Sequence, residues 1–204
     1  MANDINGKPN RFEPNIREFE ERDRTNPPPP DAALFTGSSS IRLWDSLEED
    51  FAPLSVINRG FGGAQFSDVI HFLDRIVVPY RPRVVVIYAG SHDLRRADGG
   101  PPAVLRMFDA FRTAVHDALP ETKVCYVSMK PSIKKWETIG MDREANRLVE
   151  EYCASTPLTT YIDIWTPMVR EGSPPPARYF KPDRNHPSRE GYRLWASVIR
   201  PYIE

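Results

Sequence analysis

"RVVVIYA", residues 83–89, decides the fold. After one arginine it runs Val84, Val85, Val86, Ile87, Tyr88, Ala89 with no polar interruption. A strand with one face in water alternates apolar and polar residues; a strand apolar at every position is covered on both faces, as in a parallel sheet flanked by helices. The run is too short to cross a bilayer, which takes about 20 apolar residues. On either side of it the period changes. "AQFSDVIHFLDRIV" (64–77) and "PAVLRMFDAFRTAVHDAL" (102–119) carry apolar residues at helical spacing, so this strand is predicted to sit between two amphipathic helices.

The same alternation extends outward. "AALFT" (32–36), "SVINR" (55–59), "KVCYVSM" (123–129) and "TTYIDI" (159–164) read as further strands. "IRLWDSL" (41–47), with Ile41, Trp44 and Leu47 on one side, "DREANRLVEEYCAS" (142–155) and "REGYRLWASVIRPYI" (189–203) read as helices. Strand and helix repeated through five strands predict an α/β three-layer sandwich with a mostly parallel five-stranded sheet. This domain spans residues 31–204. Residues 1–30 form an N-terminal helical arm (about 14–24) and a proline-rich spacer, because "NPPPP" (26–30) must be extended and non-helical. "GSPPPAR" (172–178) is a second stiff loop.

Composition narrows the function classes. Among 204 residues, 27 Lys and Arg face 28 Asp and Glu, a formal net charge of −1, so no global field favours nucleic acid or an anionic membrane. Cys125 and Cys153 fall in predicted core elements with neither metal spacing nor a disulfide framework, which fits a reducing compartment. The polar start "MANDINGKPNRFEP" has no apolar signal region, so the chain as it stands reads as cytoplasmic; a signal removed upstream would instead make it secreted or periplasmic. The four histidines, His71, His92, His116 and His186, are not spaced as metal ligands. "GFGGAQ" (60–65) lacks the third glycine and the acidic partner of a dinucleotide fingerprint. No metal and no cofactor are expected.

In an open α/β sheet, sites form beyond the carboxyl ends of the strands. Four loops there carry chemistry-bearing residues: "GSSS" (37–40), "GFGGAQ", "GSHDLRR" (90–96) and "DRNHPS" (183–188). Gly37 permits a tight turn, leaving Ser39 at the start of a helix, where a serine either caps the helix or is presented as a nucleophile. Asp183 and His186 are three residues apart. That spacing suits either an Asx turn or a carboxylate folded back onto the imidazole Nδ1–H, leaving Nε2 as a base. A parallel sheet puts both loops on one edge. The nucleophile elbow G-x-S-x-G is a poor match, since position 41 is Ile.

Together these segments resemble the SGNH hydrolases, or GDSL esterase/lipase superfamily, over about residues 32–203. "LFTGSSSIRLW" resembles the first block, with Ser38 where the family usually has Asp; "VINRGFGGA" the second; "VVVIYAGSHDL" the third; "DRNHP" the fifth. The resemblance implies a flavodoxin-like SGNH-hydrolase fold. It implies Ser39 as nucleophile, His186 as base and Asp183 as its orienter. The oxyanion hole it implies comprises the backbone of Ser39 and Gly63, with Gly62 adjacent. It also implies a small-molecule, carbohydrate or lipid ester as substrate, split through an acyl-enzyme without cofactor. The third block departs from the pattern: His92 stands where the family places an oxyanion-binding Asn. An imidazole N–H still donates, with different reach and angle. The alternatives are an acyltransferase on the same site, or a weakly active or non-catalytic binding protein. Arg42, Arg59, Arg95, Arg96 and Arg184 fall in or beside the four loops, either as a basic rim for anionic esters or as ordinary surface arginines.

Overall fold

The computed structural model describes residues 10–95 and 99–204. Five strands, β1 (Ala33–Gly37), β2 (Val56–Gly60), β3 (Val84–Tyr88), β4 (Lys123–Val127) and β5 (Thr159–Ile162), form one all-parallel sheet in the order β2-β1-β3-β4-β5. From β1 the chain winds first to β2 and then back to β3 on the other side. The order therefore reverses at β1 and β3, and a crevice opens where their carboxyl ends diverge.

Around the sheet lie α1 (Glu13–Thr25), α2 (Ser39–Arg42), α3 (Leu47–Phe51), α4 (Phe66–His71), α5 (Leu73–Ile76), α6 (Pro101–Ala118), α7 (Ile139–Ser155), α8 (Trp165–Val169) and α9 (Arg189–Ile199). All five residues of β3 are buried, as its unbroken apolar run requires. Alternate strand residues feed two separate cores. Leu34, Ile57, Val85, Ile87, Val124 and Tyr126 pack with Phe66, Phe108, Phe111 and Val149 on one face. Phe35, Val84, Val86, Tyr88 and Cys125 pack with Trp44, Phe51, Trp195 and Ile199 on the other. The two-residue period of a strand thus serves both layers at once. Among the described residues no helix is long and apolar enough to cross a membrane.

Three predicted helices are interrupted. "IRLWDSL" is not one helix: α2 stops at Arg42 and α3 starts at Leu47. Between them Trp44 stacks on Tyr192 at 4.8 Å and donates its indole N–H to Asp50 at 2.7 Å, while Ser46 also donates to Asp50. Ile41, Trp44 and Leu47 are all buried regardless, so tertiary packing satisfies the pattern without the helix. The 64–77 segment divides at Phe72 into α4 and α5. The last helix ends at Ile199 and continues as a 3-10 turn, because Pro201 has no N–H to donate. The short α8 follows β5, a stretch the sequence pattern did not mark.

Helix α1 lies against the first core through Ile16 and Phe19. Ion pairs fasten it: Arg75 of α5 reaches Glu13 at 2.8 Å and Glu20 at 2.7 Å, and Arg59 of β2 reaches Asp23 at 2.5 Å.

Candidate active site

At the carboxyl edge, β1 ends in Gly37 with φ +118°, where a Cβ would stand 2.2 Å from the Tyr88 carbonyl oxygen. Only glycine allows β1 to turn this close to β3. Gly60 does the same for β2: a Cβ there would lie 2.5 Å from the Arg42 backbone nitrogen. These two glycines let α2 settle directly on the sheet edge. Asn58 then pins it, donating from Nδ2 to the Ile41 carbonyl at 2.8 Å and accepting from the Gly60 N–H at 2.9 Å.

The three serines separate by role. Ser38 is the N-cap residue of α2 but makes no side-chain capping bond. Ser39, half-buried, lies with Oγ 2.9 Å from His186 Nε2. Ser40 is buried and accepts at Oγ from Lys130 Nζ at 3.1 Å. As the first residue of α2, Ser39 has a backbone N–H with no intrahelical acceptor.

The 181–188 loop brings the imidazole to Ser39. Arg184 takes φ +56°, which folds Asp183 back over the following residues. Asp183 Oδ1 accepts the backbone N–H groups of Asn185 at 2.9 Å and His186 at 3.0 Å, and Oδ2 accepts from His186 Nδ1 at 2.5 Å. Both sequence readings of the D-x-x-H segment hold together here: one carboxylate oxygen makes the Asx turn and the other faces the ring. Partial burial works to raise the Asp183 pKa. The imidazole bond and the two backbone N–H groups outweigh it and hold the carboxyl at about 2. The loop is anchored from outside by Lys134 N–H to the Arg184 carbonyl at 3.1 Å and by Ser132 Oγ to Asn185 Oδ1 at 3.0 Å.

Gly63 takes φ +81° in the β2–α4 turn, and its carbonyl accepts from Arg11 Nη2 at 3.2 Å. Its N–H donates to no backbone acceptor among the described residues. His92 is exposed on the loop after β3, and its imidazole makes no hydrogen bond among the described residues. Loss of solvent around the ring, then the positive charges of Lys135, Arg11, Lys130 and Arg95, push its pKa below the ordinary histidine value. The ring is therefore neutral at neutral pH and keeps one N–H to donate.

The arginines do not form one rim. Arg59 is buried, paired with Asp23 and bonded to Tyr80 OH at 3.0 Å. It belongs to the α1 attachment, where its guanidinium is held by Asp23 and Tyr80. Arg95 makes a two-point pair with Asp142, at 2.6 and 3.3 Å. Arg42 and Arg184 are exposed, with Arg42 Nε 3.0 Å from where a Cβ on Gly62 would be. Arg96 lies outside the described residues. The sequence pattern missed Lys130 and Lys135, which follow β4. Lys135 Nζ lies 2.6 Å from Ser91 Oγ, one residue from His92.

No curated protein matches the sequence. Similar solved structures include a Streptococcus pneumonia protein provisionally named a platelet activating factor (TM-score 0.80, 17% identity, 94% of this chain and 92% of that one). They also include a GDSL-like lipase from Bacteroides thetaiotaomicron (TM-score 0.74, 20% identity, 93% and 97%). A third is a mutant form of an acetyl-xylooligosaccharide esterase from Geobacillus Stearmophilus (TM-score 0.66, 15% identity, 85% and 94%). At such identities the likeness is one of fold. The sequence itself matches the model of the GDSL-like Lipase/Acylhydrolase family over residues 31–194, and the chain belongs to that family.

Proposed function

We propose that the protein is a serine hydrolase of carboxylic esters, working through an acyl-enzyme on Ser39. The observation that carries this reading is the continuous chain from Ser39 Oγ through the His186 ring to Asp183 Oδ2. His186 Nε2 takes the Ser39 proton as Oγ attacks the ester carbonyl. Asp183 accepts from Nδ1–H, which fixes the tautomer and stabilises the imidazolium that forms. The backbone N–H groups of Ser39 and Gly63 receive the oxyanion, and the neutral His92 ring supplies a third donor in place of the family's Asn. As the tetrahedral species collapses, His186 returns the proton to the leaving alcohol. Water then enters, loses a proton to His186 and attacks the acyl carbonyl; the ester bond to Ser39 breaks and the proton returns to Oγ.

The substrate class is a small-molecule, carbohydrate or lipid ester. Transfer of the acyl group to an alcohol uses the same groups with the alcohol in place of water. The test is a panel of short-chain aryl esters, with and without an acceptor alcohol, on wild type and Ser39→Ala. Hydrolysis by wild type alone supports the reading. Turnover that survives in Ser39→Ala excludes it, and a transacylated product with the alcohol present assigns the transferase branch.

A further inference from the structure

Lys130 is a buried cation that the steps above leave unused. It lies three residues beyond β4 and is only 7% exposed. Its Nζ donates to Ser40 Oγ at 3.1 Å and to Tyr88 OH at 3.0 Å, and its backbone N–H also points to Tyr88 OH at 3.4 Å. Among the described residues it has no ion-pair partner. Burying an ammonium against two hydroxyls and the Tyr88 ring, 5.1 Å from Nζ, without an ion pair is costly, so a lysine kept there for packing would be better replaced by an apolar side chain. Its position offers a reason. Ser40 follows Ser39 in the first turn of α2, and the Tyr192 hydroxyl holds the Ser40 carbonyl at 2.8 Å. Ser40 is thus gripped at its side chain and its backbone from two other elements.

We propose that Lys130 is a positioning residue for acyl transfer: its ammonium, acting through Ser40, holds the first turn of α2 so that the Ser39 hydroxyl and N–H keep their reactive geometry. This rests on the serine-hydrolase reading. The charge matters as well as the bond. The charged groups acting on Lys130 are Asp142 from α7, Asp183 from the 181–188 loop and Arg95 from the loop after β3. Arg95 already engages Asp142, and Tyr88 on β3 is kept neutral by burial. Burial pushes the Lys130 pKa down to about 8, against the raising fields of the two carboxylates. Below that pH the ammonium donates to both hydroxyls; above it a neutral amine grips them more weakly. The rate is therefore expected to fall on the alkaline side near pH 8. Lys135 is also brought to about 8 by burial and the neighbouring cations, but it touches Ser91 rather than Ser40.

The experiment measures kcat and KM from pH 6 to 10 for wild type, Lys130→Met, Ser40→Ala, the double variant and Lys135→Met, together with rates of Ser39 labelling by a fluorophosphonate. Lys130→Met should lower kcat about tenfold or more with little change in KM, as a misplaced reacting group does. It should also abolish the alkaline limb. The double variant should be no slower than the slower single one, because both act on one contact. At Lys130 the unfolded chain binds more protons than the native one above about pH 8, so the stability difference between Lys130→Met and wild type should shift in favour of wild type as pH rises through that range. Lys130→Met should melt no lower than wild type at neutral pH. If it fails to fold, Lys130→Gln, which keeps a donor without the charge, carries the same test of the limb. Unchanged kcat, multiplicative losses in the double variant, or a limb that vanishes in Lys135→Met instead would overturn the proposal. A wild type that does not label sinks the serine reading itself. Equal labelling of wild type and Lys130→Met sinks only the role of Lys130.

Discussion

Two regions of the molecule treat buried charge in opposite ways. Where α1 meets the domain, two arginines are paired with carboxylates: Arg59 has Asp23, and Arg75 has Glu13 and Glu20. Those carboxylates hold the Arg75 charge firmly, and Glu13 and Glu20 are in turn lowered in pKa by hydrogen bonds from Arg75. At the carboxyl edge of the sheet, Lys130 and Lys135 meet hydroxyls, and both are brought to about 8. Paired charges fasten one element to another. The two lysines at the edge instead hold loop and helix hydroxyls, Ser40 and Tyr88 for Lys130 and Ser91 for Lys135. The difference separates residues that should govern stability from residues that should govern rate.

Mutations at the edge should cost activity without unfolding the protein. The largest effect is expected for Ser39→Ala, a loss of about 10⁴ or more in kcat with unchanged melting, measured by ester hydrolysis and thermal denaturation. His186→Ala should approach that loss, and Asp183→Ala should lose less. Asp183 stays ionised down to about pH 2. The orienting carboxylate should therefore remain charged on mild acidification, and a fall in rate that traces to Asp183 titrating near its ordinary value of about 4 would break this side of the comparison.

Arg59→Ala tests the other side. It leaves Asp23 without its cation and should cost about 3 kcal/mol of stability in urea unfolding, with kcat little changed. A large fall in kcat in a folded Arg59→Ala would show that the α1 attachment is not merely structural.

A smaller rate effect is expected at His92. Loss of an oxyanion donor costs about 10² to 10³ in the strongest cases, and a substituted imidazole should give less. His92→Ala should lower kcat with little change in KM, and His92→Asn should match or exceed wild type. Wild-type activity in His92→Ala would leave the hole to Ser39 and Gly63. The smallest effect concerns Arg42 and Arg184, exposed arginines of the expected rim. Matched neutral and acidic esters, compared at low and high salt, should differ about two- to threefold at low salt if that rim acts. No difference would assign both to ordinary surface.

The parts of this arrangement that were legible in the sequence are those set by local pattern. The run at 84–89 specified a strand covered on both faces, and Gly37 marked a turn that a Cβ would obstruct. The D-x-x-H spacing brought Asp183 and His186 within one turn. The break between α2 and α3 was not legible, because it depends on Trp44 finding Tyr192 nearly 150 residues away in the chain. The fate of Arg59 was hidden for the same reason: its partner Asp23 comes from a different element. Lys130 was hidden because a lysine after a strand reads as a loop charge until the packing closes over it.

The central claim is that Ser39, among three consecutive serines, is the nucleophile. Treating the active protein with a fluorophosphonate and mapping the adduct by peptide mass spectrometry tests it most directly. A single adduct on Ser39, slowed when His186 is replaced and absent in Ser39→Ala, is the predicted result. An adduct on Ser38 or Ser40, or full ester hydrolysis with no adduct at all, would contradict it.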